Sequence, residues 1–75
     1  MKTLEARFSE HLDVVDRAIA QLERRGGYPL NLTATCVVPV PGDLSIVTGP
    51  AQSVMMVIGE IANMGHDGLI EVRKL

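Results

Sequence analysis

The sequence predicts a two-layer α+β domain in the order α-β-β-α-β, with two helices on one face of a three-stranded, mainly antiparallel sheet. Three observations carry this reading. Apolar residues recur at helical spacing from Leu4 to Leu22. Residues 30–40 alternate with a period of two. A second helical stretch, Pro50 to Met64, lies between glycines at 49 and 65.

The first helix is read from Leu4, Phe8, Leu12, Val15, Ile19 and Leu22, spaced by four, four, three, four and three. Thr3 is the expected N-cap, with Ser9 as a second candidate. Asp13 and Arg17 form an acid-first pair one turn apart. Arg24 and Arg25 complement the carbonyl end, and Gly26 supplies the left-handed stop. Glu5, Glu10, Asp13, Asp16 and Glu23 make the outer side of this helix acidic.

Tyr28-Pro29 leads into a strand. Leu30, Leu32, Ala34, Cys36, Val38 and Val40 are expected to face the core, alternating with Asn31, Thr33, Thr35, Val37 and Pro39. Pro39 cannot donate to a ladder, and Pro41-Gly42 suits the centre of a type II turn. A shorter strand follows, with Leu44 and Ile46 inward and Ser45 and Val47 outward. Pro50 suits the first position of the second helix, and Gly65 ends it. Gly59 in its interior implies close approach of another backbone. His66-Asp67-Gly68 turns into a last strand, Leu69–Leu75, with Ile70 and Val72 toward the core. The simplest sheet places the long first strand in the centre, leaving Thr33, Thr35, Ser45, Val47, Glu71 and Arg73 on a solvated face.

The chain has 75 residues, and a domain this small is usually marginal without a staple or a partner. Its single cysteine, Cys36, excludes an internal disulfide and a cysteine-based metal cluster, and its alternation places it in the core. Seven basic residues against nine acidic ones give no phosphate-binding excess, and two aromatics cannot build a base-stacking platform. Nucleic acid is therefore not an expected partner. No apolar run reaches the roughly 18–20 residues that span a bilayer. The charged beginning does not resemble a signal peptide, and the unpaired thiol suits the cytoplasm.

No catalytic constellation, cofactor motif or metal-ligand set is visible. His66 and Asp67 are adjacent, so neither can orient the other as a dyad would. They form a possible ligand loop whose bland alternative is a solvated turn. Gly65-His-Asp-Gly68 matches the Gly-x-x-Gly loop of KH domains, and the element order resembles their second topological type. That resemblance implies nucleic-acid binding through a clamp between two helices. Here the loop joins a helix to a strand and contains an Asp and no basic residue. Thr48-Gly49-Pro50 reads as an ordinary helix start, because Pro50 removes an amide and no Walker-type Lys follows.

The most informative feature is the apolar surface of the second helix. Ala51, Val54, Met55, Ile58, Ile61 and Ala62 fill one stripe against the sheet. Met56, Val57 and Met64, together with the polar Glu60 and Asn63, then form a second surface that something else should cover. This predicts a non-catalytic protein-protein interaction module, dimeric with itself, of the inhibitor, adaptor or regulatory-subunit type that phages and mobile elements encode. That last step is an analogy of size and charge. The alternative is a ligand- or metal-binding or enzymatic subunit using His66 and Asp67.

Overall fold

A computed structural model describes residues 2–36 and 44–75. It is α+β, with two helices and a four-stranded antiparallel sheet. The elements are β1 (Thr3–Phe8), α1 (Leu12–Gly26), β2 (Thr33–Cys36), β3 (Ser45–Pro50), α2 (Ala51–Asn63) and β4 (Leu69–Lys74). The strand order is β2-β3-β1-β4, so each helix crosses from one strand to a parallel strand two places away, the split β-α-β arrangement.

The main correction lies at the start. Residues 3–8 are a strand, where the sequence predicted the first turns of a helix. Leu4 and Phe8 are four apart, a spacing that fits one face of a helix and one face of a strand equally well. Ala6, between them, decides the matter, because it is buried beside Phe8. Inserting this strand displaces the long strand from the centre. β2 is an edge, and β1 and β3 are the two inner strands.

α1 therefore begins later than expected. Neither Thr3 nor Ser9 caps it. The His11 Nδ1 accepts a hydrogen bond from the Asp13 N–H at 3.0 Å. At the other end Gly27, one residue beyond the expected stop, adopts φ 73° and donates its N–H to the Glu23 carbonyl at 2.8 Å. Arg24 and Arg25 lie in the last turn as predicted. Val15, Ala18 and Leu22 form its buried stripe.

The inward phase of β2 fades along the strand. Leu30, just before it, is buried; Leu32 and Ala34 are half-buried; Cys36 is exposed rather than a core thiol. Residues 37–43, including Val38, Pro39, Val40 and the expected Pro41-Gly42 turn, lie outside the described residues. β3 has the opposite phase from the predicted one. Ser45 and Val47 are fully buried, and Leu44 and Ile46 are only half-buried. The Ser45 hydroxyl donates to the Glu10 carbonyl at 2.8 Å, which removes the penalty that would otherwise keep a serine out of the core.

Both helices lie on the sheet face that carries Ala6, Phe8 and Val47, closing a core with Val15, Ala18, Leu22, Val54, Val57 and Ile61. The other face is polar. There Arg73 Nη2 lies 3.0 Å and Arg7 Nε 3.2 Å from Glu5 Oε1, with Glu71 Oε1 3.7 Å from Arg73 Nε. The two guanidiniums, Arg73 first, hold the Glu5 carboxyl below its ordinary range, and Glu5 in turn raises Arg73. Thr33, Thr35, Glu71 and Arg73 are exposed, in agreement with the sequence reading.

Among the described residues β4 pairs only with β1, with a bulge opposite Arg7-Phe8. Ile70 and Val72, predicted as core contacts, are 58% and 40% exposed. The reason is positional: α2 rests on β1 and β3, and β4 lies beyond it.

Candidate functional site

The residues predicted to form a second surface on α2 are placed by α1, which the sequence reading set on the same face without counting the cover it gives. α2 packs against α1 as well as against the sheet, so two of its flanks are covered within one chain. Val57 is 0% exposed and belongs to the core. Met56 and Met64 are half-buried and pack against that core. Glu60 is buried and ion-paired to Arg25 of α1, while Asn63 is exposed. Met55, expected inside, is exposed instead. Gly59 faces open space: a Cβ built there meets no atom within 4 Å. Among the described residues, no backbone outside the helix's own turns approaches it.

The His66-Asp67 loop does gain a partner. β1 ends beside the start of β4, and the Ser9 N–H donates to the Gly68 carbonyl at 2.6 Å. This brings His66 Nδ1 to 3.0 Å from Glu10 Oε1. Gly68 sits so close to the Glu10 carboxylate that any side chain there would collide with it. Asp67 points to solvent. Glu10 was read as a surface residue of a longer helix, so its proximity to His66 had no signal in the sequence. The pair sets an imidazole nitrogen beside a half-buried carboxylate. Among the described residues, no group of three or more His, Cys, Asp or Glu side chains is placed to hold a metal ion. The Gly65–Gly68 loop joins a helix to a strand, as its sequence position implied.

Among the described residues, a further set of exposed apolar side chains lies elsewhere. Leu69, Ile70, Val72 and Leu75 are all exposed, at and just beyond the β4 edge. Val72 pairs with Ala6, which points into the helical layer, so Val72 and Ile70 face that same side. The bulge sets Leu69 opposite Phe8, on that side as well. α2 contributes to the same region. Glu60 faces α1, and at about 3.6 residues per turn Met55 and Ala62 fall on the opposite flank, the one nearer β4. The result is a shelf with Met55 and Ala62 above and Ile70 and Val72 below. A period-of-two reading identified Ile70 and Val72 as inward-facing. It could not show that the layer above them stops short.

No helix among the described residues is long and apolar enough to cross a membrane. No family model, curated protein or solved structure matches the chain.

Proposed function

We propose that this chain is a non-catalytic protein-protein interaction module, a homodimer acting in the cytoplasm as an inhibitor, adaptor or regulatory subunit. The observation that carries this reading is the β4 edge, whose six residues are all exposed and include Leu69, Ile70 and Val72. A free edge strand presents unpaired N–H and C=O groups, and proteins ordinarily blunt it with charge, proline or a covering element. Here Lys74 is the one basic residue on the side that faces the helices, beside an uncovered apolar shelf. Apolar surface of this kind marks association sites more often than catalytic ones.

The test is sedimentation equilibrium over a micromolar range, comparing the native chain with Ile70→Lys and Val72→Lys. The native chain is expected to run as a dimer and both variants as folded monomers. A native chain that stays monomeric at high micromolar concentration rejects the homodimer. Affinity capture that returns no protein partner for the dimer rejects the adaptor role.

A second reading rests on the His66–Glu10 contact, which suits a small-ligand or metal site at that end of the sheet. Two side chains fall short of the usual three or four protein ligands of a zinc site. Zinc titration by calorimetry decides it, since stoichiometric binding lost in His66→Ala favours this reading over the first.

A further inference from the structure

We infer that β4 pairs with β4 of a second copy, antiparallel and centred on Val72, to make one continuous eight-stranded sheet. This rests on the homodimer reading above and specifies its geometry. Two independent features of the strand select that register.

The first is the direction of the backbone groups. Leu75 donates its N–H to the Thr3 carbonyl at 3.0 Å, so residue 75 turns its hydrogen-bonding groups toward β1. In an antiparallel ladder these groups alternate sides residue by residue. Arg73 and Glu71 therefore also turn inward, and Val72 and Lys74 turn their N–H and C=O groups to the free edge. A twofold axis through Val72 lets the two copies of that residue exchange both N–H···O bonds.

The second feature is charge. With Val72 opposite its own copy, Glu71 of each chain faces Arg73 of the other, and Lys74 faces Ile70. Opposite charges directly across a strand pair are favourable, and like charges are not. Moving the axis to Glu71 sets carboxylate against carboxylate, and moving it to Arg73 sets guanidinium against guanidinium. An axis at Lys74 sets ammonium against ammonium and one at Ile70 falls on the bulge, so the Val72 axis is the one that satisfies both the side chains and a regular backbone ladder. It is an isologous contact, in which the same patch serves both partners.

The axis runs perpendicular to the sheet, because directly opposed residues share a face. Both helical layers then lie on one side. Val72 and Ile70 of each copy join across the axis, and the Glu71–Arg73 pairs extend the existing Glu5–Arg7–Arg73 network on the other side.

Cross-linking tests the register. In a Cys36→Ser background, Glu71→Cys and Arg73→Cys chains are mixed under reducing conditions, equilibrated and oxidised. In the proposed pairing residues 71 and 73 are non-hydrogen-bonded neighbours, with Cα atoms about 4.5 Å apart. Each is roughly 8 Å from its own copy, beyond disulfide reach. The expected result is a mixed disulfide dimer that dominates the mixture, with little product from either variant alone. A dimer in sedimentation that yields no mixed disulfide overturns this register and leaves the homodimer standing. A monomer in sedimentation overturns both.

Discussion

Replacing Gly59 by alanine should stabilise the protein. The residue lies in the interior of α2, where glycine costs about 1 kcal/mol relative to alanine because the unfolded chain loses more freedom on ordering. Nothing among the described residues offsets that gain, since an added Cβ meets none of their atoms within 4 Å. The net effect should be roughly 0.5–1 kcal/mol. For 75 residues, an unfolding entropy of about 2.1 cal/mol/K per residue gives roughly 0.16 kcal/mol/K, so Tm should rise by about 3–6 °C. Circular dichroism melts at one fixed protein concentration read this directly. Gly49→Ala is the opposing control. There a Cβ would sit 3.1 Å from the Asn31 carbonyl oxygen and against the Leu32 side chain, so Tm should fall. A lower Tm for Gly59→Ala would refute the reasoning. It would mean that a surface outside this chain packs on that side of α2, as the sequence alone suggested.

Val57→Ala should cost about 2–3 kcal/mol in urea denaturation, the loss of two buried carbons plus a cavity, because Val57 is core rather than interface. Arg25→Ala leaves the buried Glu60 carboxylate without its partner and should destabilise by about 1–3 kcal/mol, discounted because the arginine is mostly exposed. Glu60→Gln in the same background should recover part of that loss. The lowered Glu5 carboxyl contributes stability that is complete above its ordinary value of 4.5 and disappears as pH falls through its value in the folded protein. Arg73→Gln should therefore shrink the stability difference between pH 5 and pH 3, measured by denaturant midpoints. Cys36 should react with a thiol reagent in the native protein as fast as in urea, and a slow native reaction would return it to the interior.

Much of the fold was legible because each later element carries one clear period. α1 from Leu12 onward, the antiparallel pair of β2 and β3, α2 and β4 are present in the expected order, with residues 37–43 outside the described residues and β3 in the opposite phase. The failures have two physical sources. Leu4 and Phe8 satisfy two periods at once, so β1 was read as helix, and with it went the strand order and the neighbourhood of Glu10. Adjacent apolar pairs such as Ile46-Val47 leave the phase of a strand open. The buried Ser45 settles it only through a carbonyl 35 residues away in sequence. The candidate surface on α2 changes once the cover that α1 gives it is counted. The apolar excess of α2 was visible, but α1 absorbs Met56 and Met64 on one flank. What remains uncovered is the opposite flank, with Met55 and the neighbouring β4.

The position of β1 also sets a schedule for folding. Of the six elements it comes first in sequence, yet its two ladders wait for β3 and β4, the latter the last of the six. Until then Leu4, Ala6 and Phe8 have no sheet to join, and the α1-to-α2 portion cannot close its central seam. Such long-range pairing slows folding, because distant segments must meet before any contact rewards them. Docking of β1 into the sheet should thus lag behind the local formation of the two helices.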